Sequence, residues 1–156
     1  MKVTKGHHGS KEAEVLILKG RVIKAGKASG EALVSPEPIS FFGGVDPETG
    51  EIIEKGHPLE GQKIAGKILV FPTGKGSTVG SYILYRLKQK GLVPAAIINS
   101  QADPVVAVGA VIAEIPMIDL IPWEKISTGD IVEVEENEVR VWKAHSGQTG
   151  GLPDNR

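Results

Sequence analysis

The chain has 156 residues, 40% of them hydrophobic, and 18 Lys and Arg against 19 Asp and Glu. This length and apolar content predict one domain with its own core. The balanced charge does not favour a nucleic-acid groove or an anionic membrane as partner. No apolar run approaches the roughly 18 residues that span a bilayer, and the polar start lacks the apolar centre of a signal peptide. A cytoplasmic location is therefore expected.

Cysteine is absent from the sequence. This chain can therefore form no disulfide, carries no thiol nucleophile, and offers no thiolate to a metal or an iron–sulfur cluster. The adjacent His7 and His8 are possible metal ligands, but two ligands do not close a coordination shell, and their Gly/Ser/Lys context is typical of an unstructured tail. We expect no metal site here, and a cluster would have to lie on another polypeptide.

The first half of the chain is predicted to be rich in strands. Residues 1–13 are expected to form a flexible arm. Residues 14–34 have the composition of strands, with turns at Gly20 and over 26–30. The stretch "FFGGVDPETGEIIEKGHPLEGQKIAG" has too many glycines and prolines for an element interior, and "DPETG" within it is a turn signal. A loop of this length is often functional.

The second half alternates buried strands with short helices. "KILVFP" and "PAAIINS" are continuous apolar runs typical of strands covered on both faces. An apolar stripe predicts a helix over 79–90 that Gly91 caps. Asp103 and Pro104 suit the start of a second helix, "PMIDLI" is a further strand, and a terminal hairpin turns at 136–137. We predict one β-rich α/β domain over 14–143 with two or three short helices, and a flexible tail over 144–156.

The stretch "ILVFPTGKGSTVGS" has the strand, glycine loop and helix of an anion-binding site. It is neither a nucleotide P-loop, because Gly rather than Ser or Thr follows the lysine, nor a Rossmann fingerprint, because its glycine spacing is one residue too long. Gly74 and Gly76 permit close backbone approach, and Ser77 or Thr78 would begin the helix, where free N–H groups bind carboxylate or phosphate. Lys75 adds positive charge. The alternative is that Ser77 only caps an ordinary helix.

Four segments, "FFGGVDPETGEI", "FPTGKGSTVGS", "PAAIIN" and "GAVIAEIPMI", together resemble the small subunit of the aconitase X family, and the resemblance covers residues 14–143. It implies a fold like the swivelling β/β/α domain of aconitase. It also implies a hydro-lyase in which a larger partner subunit holds a [4Fe–4S] cluster, with one iron acting as Lewis acid on the leaving hydroxyl. The implied substrate is a small phosphorylated hydroxy acid, phosphomevalonate first, with another hydroxy acid such as hydroxyproline as the alternative.

The resemblance also implies roles for individual residues. Ser77 matches the serine that takes the proton next to the substrate carboxylate. Lys75 stands where the family commonly has Arg, and a lysine keeps the charge but loses the bidentate fork. Gly76 and Thr78 would complete a substrate-binding loop. Gly44 and Asp46, from the glycine-rich loop that the family shares, would bind substrate as well, although Asp46 before a proline is equally explained as a turn residue.

Five further positions are of interest. Phe41 and Phe42 are expected to be exposed aromatics at an interface with the partner, formed by residues 41–46 and 73–78. His57 is expected to be a surface-loop histidine. Asn99, at the end of a buried strand, would face the cleft or cap a turn. Ser81 has a hydroxyl that can bond to the backbone, which makes it a poor catalytic candidate. From the residues alone, a free-standing module that binds a metabolite is a competing function.

Overall fold

The computed structural model describes residues 2–5 and 14–144, so the expectations for His7 and His8 and for residues 145–156 lie outside the described residues. The strands are β1 (Lys2–Lys5), β2 (Glu14–Lys19), β3 (Arg21–Lys24), β4 (Lys27–Val34), β5 (Ile68–Phe71), β6 (Ala96–Asn99), β7 (Met117–Asp119), β8 (Ile131–Glu135) and β9 (Glu138–Trp142). The helices are α1 (Val79–Gln89) and α2 (Pro104–Ala113), with a 3₁₀ turn at Trp123–Lys125.

Within these residues, nine strands form one mixed sheet in the order β1-β2-β9-β8-β4-β5-β6-β7-β3. The pairs β4–β5, β5–β6 and β6–β7 are parallel. All other neighbouring pairs, from β1–β2 through β8–β4 and also β7–β3, are antiparallel. Strand β4 belongs to both halves, because residues 27–31 pair with β8 and residues 32–34 pair with β5. The sheet therefore has an antiparallel half and a parallel half that share one strand.

Two hydrophobic cores lie on opposite faces of the parallel half. One contains side chains from both halves of the sheet, such as Val70 and Ile98 from the parallel half and Val132 and Val141 from the antiparallel half. The two halves therefore pack face to face. The other core lies beneath α1 and α2 and includes Leu84 and Ala110. This stacking of sheet, sheet and helices confirms the predicted β/β/α architecture.

The start of α2 and the end of α1 lie where the sequence predicts them. The Asp103 side chain accepts hydrogen bonds from the backbone N–H groups of Val105 and Val106, and Pro104 occupies the first turn of α2. Helix α1 ends at Gln89 with Lys90 as its C-cap, and Gly91 follows with a φ of 72°. The helices pack side by side over the parallel strands. In the part of the chain that the structure describes, no helix combines the length and the apolar character needed to cross a membrane.

The N-terminal third differs from its sequence prediction at two places. Residues 2–5, expected within a flexible arm, form β1, because the open edge of β2 offers a ladder of backbone partners. Gly30, expected in a turn, lies inside β4 opposite Val132. A Cβ at Gly30 would lie 3.0 Å from the Gly66 carbonyl oxygen, so glycine here permits a close backbone approach rather than a turn.

The long loop between β4 and β5 is ordered and contributes to the core, which overturns two expectations. Phe41 is 1% exposed and makes an edge-to-face contact with Phe71 at 6.2 Å between ring centroids, whereas Phe42 is 50% exposed. His57 is buried rather than on the surface. Its Nε2 lies 3.0 Å from the Pro38 carbonyl oxygen, and its Nδ1 accepts the Leu59 N–H at 3.0 Å. The His57 ring therefore links Pro38 and Leu59 of the loop through hydrogen bonds.

Candidate functional site

Two glycine loops meet at the carboxyl ends of the parallel strands β4 and β5. The Ile39 N–H donates to the Thr73 carbonyl at 3.3 Å, and the Lys75 N–H donates to the Ile39 carbonyl at 3.1 Å. This short parallel bridge places residues 39–44 beside residues 73–78. Crevices at the carboxyl ends of parallel strands are the usual ligand sites of open α/β sheets.

Ser40 lies between the glycines of the two loops. A Cβ at Gly44 would lie 2.2 Å from the Ser40 carbonyl oxygen, and a Cβ at Gly76 would lie 2.4 Å from its Oγ. Gly76 also has a φ of 99°, which L side chains rarely adopt. Both glycines are therefore needed for the loops to close on Ser40, whose hydroxyl donates to the Phe42 carbonyl at 2.9 Å. Sequence analysis missed Ser40, although its position just before "FFGG" was a usable signal.

The start of α1 presents free backbone donors beside this pocket. Thr78 is the N-cap residue and makes no side-chain capping bond. The exposed Ser77 accepts the Val79 N–H on its Oγ at 3.1 Å. Within the described part of the chain, the backbone N–H groups of Gly76, Ser77 and Thr78 donate to no protein acceptor. Consecutive free donors at a helix N-terminus suit a carboxylate or a phosphate.

A cleft of about 370 Å³ lies between the loops. Its lining residues are Ser40, Phe42, Gly43, Gly44, Glu54, Lys75 and Gly76. Three of the residues predicted to bind substrate, Gly44, Lys75 and Gly76, are among them, and Ser77 and Thr78 follow directly in the chain. The Lys75 ammonium forms an ion pair with Glu54 at 3.2 Å. No sequence signal distinguished Glu54 from the other carboxylates of the long loop.

Asp46 does not line this cleft. Its Oδ1 accepts the Glu48 N–H at 2.8 Å, and its carbonyl accepts the Gly50 N–H at 2.8 Å. These bonds are those of a turn begun by an aspartate before a proline. The structure shows this turn role directly, and contact with substrate stays a prediction.

Two other candidates are structural. The Ser81 hydroxyl donates to the Val105 carbonyl at 2.6 Å, so it bonds across to α2 rather than back along its own helix. Asn99 is fully buried, and its Nδ2 donates to the Phe71 and Ile98 carbonyls at 3.0 and 3.2 Å. Its Oδ1 has no protein partner within the described residues. Asn99 therefore joins the ends of β5 and β6 and neither lines the cleft nor caps a turn.

Asp119 lies at the carboxyl end of β7, and its carboxylate is buried. Burial acts to raise the pKa of Asp119, but hydrogen bonds from the Arg21 guanidinium and the Ala102 N–H outweigh burial and hold that pKa below its ordinary value. The Arg21 Nε and a terminal nitrogen contact the two carboxylate oxygens at 2.9 and 2.7 Å. This bidentate pair joins the edge strand β3 to β7 and keeps Asp119 ionised.

The described residues contain no group of three or more His, Asp or Glu side chains that could hold a metal ion. Because the sequence also lacks cysteine, the residues of this chain do not fit an iron–sulfur cluster. What the site offers is a hydroxyl, a lysine charge and backbone N–H groups around an open cleft. Such a site can bind an anion and exchange a proton.

Comparison with known proteins decides the family. A model described as the aconitase X swivel domain matches residues 17–142. The chain belongs to the aconitase X swivel-domain family. The "Phosphomevalonate dehydratase small subunit" of Methanosarcina acetivorans is 55% identical over 124 residues, which cover 78% of this chain and 86% of that protein. The protein of the same name from Thermococcus kodakarensis is 53% identical, covering 80% and 93%.

A solved structure agrees with this family assignment. The crystal structure of Thermococcus kodakaraensis aconitase X in its holo form superposes with a TM-score of 0.80 at 52% identity, covering 82% of this chain and 99% of that chain. The family, the swivelling β/β/α fold and the class of dehydratase subunit predicted from the sequence are thereby confirmed. The aconitase X relatives are named as small subunits, which agrees with a larger partner.

Proposed function

We propose that this chain is the small subunit of a heteromeric hydro-lyase that dehydrates (R)-5-phosphomevalonate to trans-anhydromevalonate 5-phosphate, in an archaeal mevalonate route to isoprenoids. The observation that carries the proposal is the position of Ser77 at the start of α1, directly after the cleft-lining Lys75 and Gly76 and among backbone N–H groups with no protein acceptor in the described residues. The names of relatives more than 50% identical support this substrate.

The reaction breaks one C–H and one C–O bond. Ser77 accepts the proton from the carbon next to the substrate carboxylate, and the electron pair of that C–H bond becomes the new C=C bond. The hydroxyl leaves from the adjacent carbon, and proton and hydroxide together make water. Lys75 and the N–H groups of Gly76 and Thr78 hold the substrate anion and stabilise the charge that grows on its carboxylate as the proton departs.

A serine hydroxyl is a poor base by itself. A helix terminus contributes at most about 2 kcal/mol to an adjacent anion. At 1.36 kcal/mol per unit, this lowers a pKa by only about 1.5 units, far from an alkoxide at neutral pH. The backbone donors, Lys75 and cationic groups of the partner must supply the rest once the partner covers the cleft and excludes water. The isolated subunit is therefore expected to be inactive.

The cofactor belongs to the partner in this proposal. A [4Fe–4S] cluster, held by cysteines of the larger subunit, would assist the departure of the hydroxyl. This chain supplies the proton acceptor and part of the anion site. The purified single chain should be colourless, because it has no thiolate to hold a cluster.

The test is anaerobic co-expression with a cysteine-containing, aconitase-like larger subunit from the same genome. The assembled complex is assayed with phosphomevalonate and with hydroxyproline, and the separate subunits serve as controls. We expect turnover of phosphomevalonate by the complex alone. Turnover of hydroxyproline but not phosphomevalonate would transfer the proposal to another dehydratase of the family. Binding of phosphomevalonate by the isolated chain, with no turnover in any complex, would favour the metabolite-binding module.

A further inference from the structure

We propose that Glu54 is a positioning residue that holds the Lys75 ammonium at the cleft, so that an incoming anionic substrate meets a charge already in place. This inference rests on the proposed function, because it takes Lys75 as part of the substrate site. Glu54 lies 21 residues from Lys75 in sequence, and both side chains line the cleft. Neither motif reasoning nor the resemblance pointed to it.

The position of Glu54 is set by the glycine loop that contains Gly44. The Ile53 N–H donates to the Gly44 carbonyl at 2.8 Å, so the backbone before Glu54 is attached to that loop. One carboxylate oxygen lies 3.4 Å from where a Cβ on Gly44 would be. The other accepts from the Lys75 Nζ at 3.2 Å. The side chain therefore bridges the loop of Gly44 to the loop of Lys75.

The Lys75 side chain needs a partner that orders its ammonium group. The backbone of Lys75 is fixed by its hydrogen bond to Ile39, but four rotatable bonds separate the backbone from the ammonium. The Lys75 side chain is 46% exposed, so packing alone does not select one rotamer. An ammonium that moves freely in solvent has to be ordered again each time an anion binds. Pairing with Glu54 performs that ordering before the substrate arrives.

A role in fold stability does not account for this pair. Both side chains are partly exposed, 46% for Lys75 and 33% for Glu54, and ion pairs of this kind contribute little to stability. Removing Glu54 should therefore leave the melting temperature nearly unchanged.

The direction of the change in KM separates positioning from simple repulsion. If Glu54 only repelled the substrate anion, its neutralisation would lower KM. If it orders Lys75, neutralisation raises KM even though a negative charge has been removed. The two accounts therefore predict changes of opposite sign in the same measurement.

The experiment uses the assembled complex with phosphomevalonate as substrate. We expect Glu54→Gln to raise KM by about two- to fivefold, the factor that corresponds to a part-exposed ion pair of ordinary strength, while kcat stays nearly unchanged because the proton acceptor is untouched. The matched control is Glu31→Gln, which breaks the Lys67–Glu31 ion pair of 3.1 Å at the opposite end of β5 and should leave KM unchanged.

A charge-swapped complex, Glu54→Lys with Lys75→Glu, provides the second arm. The swap keeps an ion pair but moves the cation to the other loop, so we expect an unchanged melting temperature with KM still raised. A swap that restores the wild-type KM would overturn the inference, as would an unchanged or lowered KM in Glu54→Gln. If Ser77→Ala abolishes turnover while Glu54→Gln keeps the wild-type KM, the proposed function stands and this inference falls. Absence of turnover in the wild-type complex overturns both.

Discussion

The Ser77 hydroxyl combines an observed structural role with the proposed role as proton acceptor at the same atom. Its Oγ accepts the Val79 N–H and so helps to begin α1, as an N-terminal serine commonly does. A hydrogen bond accepted from the backbone also favours the deprotonated form, so capping supports rather than replaces the proposed role as proton acceptor. Thr78, the N-cap by backbone geometry, makes no capping bond through its side chain.

We expect Ser77→Ala to abolish dehydration in the assembled complex while folding and assembly persist. Loss of the capping bond should cost about 0.5–2 kcal/mol of stability, whereas loss of a general base removes about 100- to 10,000-fold in rate. The measurement is turnover per assembled complex, with the melting temperature recorded alongside.

The control is Ser81→Ala, one turn further along α1. It removes a hydroxyl that bonds to Val105, away from the cleft, so its stability should fall by about 0.5–1.5 kcal/mol with turnover retained. Near-normal turnover in Ser77→Ala would leave Ser77 as a cap only and assign the base to the partner subunit.

Gly76 should not tolerate any side chain. Its φ of 99° is unfavourable for L residues, and a Cβ would lie 2.4 Å from the Ser40 Oγ. The matched control is Gly56→Ala, where φ is 81° but no atom lies within 4 Å of the added Cβ. We expect Gly56→Ala to cost about 1–2 kcal/mol from backbone strain alone and Gly76→Ala to cost more, as measured by urea unfolding. Equal costs would mean that Ser40 yields to the methyl group.

At the scale of elements, α2 is unusual because its sequence, "PVVAVGAVIA", has no polar side chain, yet one face of it meets solvent. The inner face packs on α1 so closely that a Cβ on Gly109 would lie 2.5 Å from a Leu84 methyl carbon. The outer face exposes Val108, Val111 and Ile112. The orientation of α2 therefore comes from packing against Leu84 and Gly74 and not from any amphipathic pattern of its own.

A pair of substitutions two residues apart checks that orientation. Val106 is 2% exposed and Val108 is 51% exposed. Val108→Lys should change stability by no more than about 0.5 kcal/mol, as at other surface positions. Val106→Lys places an unpaired charge in the core and should unfold the domain or prevent its soluble expression. Thermal melts followed by circular dichroism distinguish the two, and a large loss in Val108→Lys would show that its face is covered.

The Arg21–Asp119 pair makes the attachment of β3 dependent on pH. Because the folded-state pKa of Asp119 is lowered, its carboxylate stabilises the fold above the ordinary aspartate pKa of about 3.9, and that contribution is lost as the pH falls through the lower folded value. We expect Asp119→Asn to be less stable than wild type at pH 7 and to lose less stability on acidification. The comparison is urea unfolding at pH 7 and below pH 4, with the exposed Glu31→Gln as control; parallel profiles would contradict it.

At the scale of the whole molecule, the face that carries both glycine loops is proposed to dock on the larger subunit. Burial of Phe41 leaves Phe42 as the exposed aromatic of this face. We expect Phe42→Glu to weaken assembly by at least tenfold, the effect of losing an aromatic anchor, as measured by titration of labelled subunits. Val22→Glu, an exposed position on the edge strand β3, should leave affinity unchanged. Equal affinities for Phe42→Glu and wild type would place the interface elsewhere.

Local sequence is sufficient to predict most of the elements and the glycine loop. Strands β5 and β6, the end of α1, the start of α2 and the terminal hairpin follow from periodicity, capping residues and turn chemistry, which act within a few residues. The loop of Gly74 to Thr78 was recognisable for the same reason, since neighbours in the chain form the start of α1.

In the long loop, tertiary packing selects which residues are buried and which reach the cleft. Phe41 and Phe42 are alike in sequence, yet only Phe41 packs on Phe71, and His57 is buried because Pro38 and Leu59 satisfy both of its ring nitrogens. Ser40 and Glu54 join the site through contacts to Gly76 and Lys75. Such contacts depend on how β4 and β5 bring segments together that are far apart in the sequence. A local pattern of residues carries no information about which distant segment will lie beside it.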